Sequence, residues 1–363
     1  MQTLLEEANE IIIARQGAAG LVTLNRPRRR NALSTAMRAE IAQALPGWVR
    51  DPNIYAVVIG SAAQQTFCAG GDLRELAEWG RTARGKAQAS LAAEYALNWR
   101  LECFTKPTIS LIDGLVVGSG VGISLYGTHR VAGENYRFAM PETGIGLFPD
   151  DGVCHAFARM PHEIGTYLAL TGRAVGRADA YQLGLVTHTI AAGEFGPIRA
   201  AIADAEPVDV VLDSRHRQPG PGELEPVKDV VERCFGAATV EEIIARLLGE
   251  RGAASAWAGA VAEELLRRSP SSLKLTHRHL RLARDLDLRG TLVQDFRIAL
   301  RCLEAEDFYE GVRAMVIDKD GAPKWHPARL EDVTEASVAR YFAPPEGGDL
   351  ALASRAEMQA LQT

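Results

Sequence analysis

The sequence predicts an α/β fold of repeated strand-strand-helix units that closes in a helical C-terminal region. Three observations lead there. Short apolar runs recur around Gly-containing turns up to about residue 190, each group is followed by an apolar stripe at helical spacing, and beyond a Pro/Gly-rich break at 213–226 only helical spacing remains. In order, EIIIARQGAAGLVTLNRP reads as two strands about a turn, and NALSTAMRAEIAQAL as a helix with Leu33, Met37, Ile41 and Leu45 on one stripe. YAVVIGS is a short buried strand, FCAGGDLREL turns into a helix, KPTISLIDG is a strand and GSGVGISLYG opens another helix. HRVAG and YRFAM are strands, PETGIGLFPDDG leads into helix, and LVTHTI ends the mixed region. After the break, Thr239 to Glu242 fits a capping box ahead of IIARLL, and SSLKLTHRHLRLAR, TLVQDFRIALRCL and FYEGVRAMV keep helical apolar spacing. This divides the chain into a core at 10–205, a linker at 206–225, a helical region at 226–345 and a tail at 346–363, helical or disordered.

At 363 residues, 47% hydrophobic and 24% charged, the chain can bury a sizeable core. A formal charge of −6 leaves no basic excess for a nucleic-acid backbone. The N-terminal MQTLLEEANEIIIARQ is acidic where a secretory signal is basic, and Ile11 to Ile13 is too short to span a membrane, so the expected setting is cytoplasmic. Five scattered cysteines without a CxxC read as reduced core thiols. The eight histidines form no HExxH, and His277 and His279 fall on different faces of a helix, so no metal site is expected.

The stretch FAMPETGIGLFPD sets two acids, Glu142 and Asp150, among apolar, Gly and Pro residues. An acid beside Pro or Gly commonly caps a helix or sits on a solvated turn, whereas two acids in a dry place suit proton chemistry. FCAGGDLREL and LIDGLVVGSGVGISL each place glycines at a strand-to-helix junction, where unpaired N–H groups can stabilise developing negative charge. GSGVG also invites a dinucleotide reading, against which its third Gly is misplaced and no parallel βαβ frame is expected around it. Ser119 as a hydrolase nucleophile lacks both a GxSxG setting and an assignable histidine.

In order and spacing, NRPRRRNAL, FCAGGDLREL, KPTISLIDGLVVGSGVGIS and FAMPETGIGLFPDDG resemble segments of the enoyl-CoA hydratase/isomerase (crotonase) superfamily. EYALN, YLALTG, SLKLT and DFYEGVRAMVIDKDGAPKWHPA are similar to its 3-hydroxyisobutyryl-CoA hydrolase branch, and the resemblance runs from about residue 10 to 342. It implies a crotonase-like fold and an acyl-CoA substrate whose thioester oxygen is held by the N–H groups of Ala69 and Ser119, with Gly71, Asp72 and Gly118 beside them. Glu142 matches the second glutamate of the hydratases, while Gly122 stands where their first would be, which disfavours hydration. Glu142 then either deprotonates water or attacks the thioester itself. Asp150 accepts a hydrogen bond from a substrate 3-hydroxyl, Glu94 belongs to the same site, and Arg28 and Arg29 contact the CoA phosphates, with Lys274 and Arg297 as weaker candidates. The implied reaction is hydrolysis of 3-hydroxyisobutyryl-CoA in valine breakdown. A lyase or isomerase of the same superfamily, or a non-catalytic acyl-CoA binder, are the alternatives. No cofactor is expected beyond the CoA of the substrate, and a homo-oligomer is compatible with the resemblance. Ser119, Asp151 and Val153 depart from the branch pattern, where glycine, valine and glycine are usual.

Overall fold

A computed structural model describes residues 9–362. The first eight residues, on which part of the leader argument rests, lie outside it. Among the described residues ten strands form two sheets. The larger has the order β1 (Ile11–Gln16), β2 (Ala19–Leu24), β3 (Ala56–Ser61), β5 (Thr108–Ile112), β7 (His129–Ala132), β10 (His188–Thr189). The smaller runs β4 (Thr66–Cys68), β6 (Leu115–Val117), β8 (Arg137–Ala139), β9 (Val175–Gly176). The pairs β3/β4, β5/β6 and β7/β8 each give their first strand to the larger sheet and their second to the smaller, whereas β1 and β2 both lie in the larger. Among the described residues only the β1/β2 and β8/β9 pairs are antiparallel. The β6 strand, which feeds GSGVG, pairs parallel with β4 and β8, so the expectation of no parallel frame there is corrected. Short strands hid this, since parallel partners are set by crossovers and not by neighbouring sequence.

Helix α1 (Thr35–Arg50) follows β2, capped by Ser34, and buries Met37, Ile41 and Leu45. Leu33 is buried just ahead of it. Helices α2 (Leu73–Thr82) and α3 (Arg84–Glu102) follow β4, and α4 (Ser119–Leu125) follows β6. After β8 comes a 3-10 turn, Glu142–Ile145, then α5 (Val153–Phe157) and α6 (Ile164–Thr171). The 206–225 segment is not all loop: Val208–Asp213 is a helix whose Val208, Val211 and Leu212 pack with Val58, Ile109 and Leu111 of the larger sheet. Its six residues are too few to show a period beside the Pro/Gly break.

The C-terminal helices share the core of the sheets: Leu273, Leu280 and Ala283 of α7 (Pro270–Ala283) cluster with Phe138, Cys154 and Phe157. Thr239 does cap its helix, accepting from Glu242 N–H, but the Glu242 carboxylate reaches back to Ala238 N–H, one residue before the cap. Helix α8 (Leu288–Cys302) lies on α3, and α9 (Glu306–Val312) continues into a π-turn, Arg313–Ile317. The tail is ordered along α3. Trp99 donates its indole N–H to Ala353 O at 2.8 Å, Arg355 pairs with Glu102, and Leu352 is buried. All five cysteines are buried and unbridged.

Candidate active site

Two strand-to-helix turns meet because glycines let them. Gly120 in α4 stands so near β4 that a Cβ there would lie 2.6 Å from the Cβ of Cys68. Gly118, at φ +49°, faces Gly70, whose own φ is +100°, a region closed to most side chains. The chain at 30–33 then binds the first turn: Ala69 N–H donates to Arg30 O (3.0 Å), Leu33 N–H to Gly70 O (2.8 Å) and Asp72 N–H to Leu33 O (2.9 Å). This corrects the assignment of Ala69, whose N–H is occupied inside the protein. Among the described residues, the backbone N–H groups of this wall left without an internal partner include those of Gly71 and of Ser119, the first residue of α4. The Ser119 hydroxyl lies close over Gly71, 2.8 Å from the position of a Cβ there.

Glu142 enters from the opposite wall on the 3-10 turn. That turn is held by Leu147 N–H to Glu142 O, by the Thr143 hydroxyl to Leu170 O, and by Ser269 N–H to Thr143 O. Helix α9 packs on it backbone to backbone, since a Cβ on Gly146 would meet the Asp307 carbonyl carbon at 2.2 Å and one on Gly311 would meet that of Ile145 at 2.4 Å. Glu142 is 6% exposed, with Oε1 against Gly118 and Oε2 buried without a hydrogen bond. Burial raises its pKa well above the ordinary carboxylate value and the Asp150 charge adds to this, while Arg268 opposes both.

Asp150 lies half-buried at the cavity and accepts a hydrogen bond from Tyr95 Oη at 2.7 Å. Burial, then the charges of Glu94 and Asp295, push its pKa up to about 8. Glu94 is buried and paired with Arg38 of α1 at 3.2 Å, and Arg38 also donates to Ser90. Asp151, at φ +57°, turns away from the cavity. It is 1% exposed, accepts from Asn98 Nδ2 at 2.6 Å, and is held well above the ordinary range by burial and by Asp150. Gly152 N–H donates to Asp295, itself 2.6 Å from His279, so a buried His-Asp pair fixes this turn.

A cavity of about 250 Å³ gathers Ala69, Gly71, Asp72, Glu94, Gly118, Ser119, Glu142 and Asp150 in one wall system with Arg38, Arg268 and Met315. The Asp72 carboxylate, expected to bind substrate, instead caps α2 and accepts from Arg26 at 2.7 Å. Arg28 and Arg29 are exposed on the turn Pro27–Arg29 and do not line the cavity. Lys274 pairs with Glu241 at 2.6 Å and Arg297 with Asp349, both away from it. No histidine is among the lining residues, so Ser119 has no histidine base there. Sequence reasoning missed Arg38, Tyr95, Asn98 and Arg268. The i, i+4 spacing of Glu94 and Asn98 on one helix is the signal that was available for Asn98.

The profile of the family described as enoyl-CoA hydratase/isomerase matches residues 19–342. Relatives in Rattus norvegicus (38% identical, covering 95% of this chain and 91% of theirs) and Homo sapiens (36%, 95% and 91%) are named 3-hydroxyisobutyryl-CoA hydrolase, mitochondrial. That name overturns the cytoplasmic expectation, which had weighed only a secretory leader and a membrane span and so had no bearing on an organelle. Among solved structures, one titled a carnitinyl-CoA dehydratase from Mycobacterium thermoresistibile superposes with a TM-score of 0.89 (34% identity, 94% of this chain and 98% of that one). Another, titled an enoyl-CoA hydratase from Rhodobacter sphaeroides 2.4.1, gives 0.87 (36%, 95% and 100%). Among the described residues no helix is long and apolar enough to cross a membrane.

Proposed function

Because the chain belongs to the enoyl-CoA hydratase/isomerase family, we propose that it hydrolyses the thioester of a 3-hydroxyacyl-CoA, with 3-hydroxyisobutyryl-CoA as the substrate, as in valine breakdown. The hydrolase name of the relatives and the lyase titles of the solved structures point to different reactions, and one observation favours the first. Gly122 is walled in: a Cβ there would lie 2.8 Å from Asp151 Oδ1 and 2.9 Å from the Asn98 carboxamide. No second acid can reach the substrate from that helix position, which leaves Glu142 as the acid set against the unpaired amides.

In this reading the thioester oxygen lies between the N–H groups of Gly71 and Ser119, where the charge of a tetrahedral intermediate is stabilised. Glu142 takes a proton from water as its oxygen bonds to the acyl carbon. The C–S bond then breaks, and Glu142 returns the proton to sulfur, giving CoA-SH and the free acid. Attack by Glu142 itself, through an anhydride, uses the same oxygen and is distinguished by transfer of ¹⁸O from labelled water into the enzyme. Asp150 can accept a hydrogen bond from a 3-hydroxyl group; an acyl group without one leaves it unmatched. In the same reading the exposed Arg28 and Arg29 bind CoA phosphates outside the cavity.

The test is release of free thiol from 3-hydroxyisobutyryl-CoA. Glu142→Gln is expected to lower kcat by at least about 10²-fold, the scale of a lost general base, with CoA-ester binding retained. Turnover near that of the unmodified protein rejects the assignment. Formation of an unsaturated product without free thiol instead supports the lyase reading.

A further inference from the structure

Arg268 stands in the wall of the cavity on the same side as Glu142, yet neither the hydrolysis scheme nor the family resemblance uses it. It comes from the short connection before α7 and is mostly buried, its side chain 18% exposed. Nη2 donates to Thr171 O and pairs with Glu264 at 2.8 Å, and Glu264 in turn holds Arg173 at 2.7 Å. Nε is buried without a hydrogen-bond partner. Nη1 is pressed onto Gly144, within the turn that carries Glu142, only 2.3 Å from where a Cβ would stand. A guanidinium is costly to bury, and it is kept here with one of its nitrogens unsatisfied. A glycine at 144 is what admits it.

We propose that Arg268 is a positioning residue for Glu142: a cation built into the cavity wall that offsets the burial of this carboxylate and favours its charged, proton-accepting form. The other groups around Glu142 do not supply that. Asp150 on the following loop, Asp307 on α9 and the Cys154 thiol on α5 are acidic, and Glu94 on α3 is matched by Arg38 on α1. Burial and Asp150 both favour protonated Glu142, and Arg268 opposes them. The inference rests on the reading of Glu142 as the base, but its test can fail separately.

The experiment follows the infrared band of the protonated carboxyl that Glu142→Gln abolishes, titrated with pH in the full-length protein, alongside the pH profile of thiol release. Arg268→Met is expected to move the Glu142 midpoint, and with it the acid limb of kcat/KM, upward by about one pH unit, the size of a single close charge. Arg268→Lys is expected to restore most of that shift. Glu264→Gln removes the anion that offsets Arg268 and is expected to move the midpoint down. If Arg268→Met does not fold, Glu264→Gln decides by that opposite sign. Coincident midpoints in the unmodified protein and the folded variants overturn the proposal, even if activity falls evenly at all pH values. A shifted band in a protein that releases no thiol upholds the electrostatic role and rejects the hydrolase reading instead.

Discussion

At the scale of the residue, the site is a contest between burial and charge at three carboxyls, Glu142, Asp150 and Asp151, all of them pushed up by burial first. Since Asp150 adds to the burden on Glu142, Asp150→Asn is expected to lower the acid limb of kcat/KM, because the neutral amide removes a like charge. It also narrows the preference for hydroxylated over plain acyl-CoAs. A pH profile on paired substrates checks both, and an unmoved limb with unmoved preference makes Asp150 structural. Glu142 and Asp150 were legible in the sequence because two acids in an apolar, Pro- and Gly-bounded run are unusual. Gly71 in place of Ala69 was not. All of Cys68 to Gly71 lie in one glycine turn, and which N–H stays unpaired depends on bonds to Arg30 and Leu33, some forty residues back in the chain. Arg268, in LLRRSPSS, reads as half of a solvated charge pair until the tertiary structure lays it on Gly144.

The elements carry the site through close approaches that only glycine permits. Placing a methyl group at Gly120 forces α4 off β4 at Cys68. Gly120→Ala is therefore expected to cost about 1–3 kcal/mol, the range for overpacking a dense core. Turnover should fall more steeply than stability, because the two amide-bearing turns part. Urea midpoints and kcat on one preparation check this, and unchanged values for both reject the packing argument. Helix identities were readable from apolar spacing, as with Met37, Ile41 and Leu45 of α1. Strand partners were not, because β3/β4, β5/β6 and β7/β8 each split between the two sheets, and three-residue strands such as β4 and β6 carry too little pattern to say which. The helix at 208–213 escaped notice for the same reason of length.

For the whole molecule, the raised carboxyls make folding take up protons at neutral pH. An acid whose pKa is higher when folded stabilises the protein while it remains protonated, and that contribution is lost as pH rises from the unfolded carboxylate value to the folded one. For Asp150 the loss is complete only beyond about 8. The buried His277 and the half-buried His155 and His188 have depressed pKa values and act below pH 7, where the unfolded chain would charge them. Between pH 7 and 8.5 the urea midpoint is thus expected to fall, and less so in Asp150→Asn; a flat or rising midpoint contradicts the sign. The helical C-terminal region was legible as helices but not as part of the same core, since nothing local shows Leu273 and Leu280 meeting Phe138.

The segment from Asp349 to Gln362 lies along the outside of α3, whose other faces present Glu94, Tyr95 and Asn98 inward. In chain order these residues are synthesised after every strand of the two sheets, which can assemble before them. A nascent chain stalled before Asp349 thus has its amide cradle but an unbuttressed acid-bearing helix.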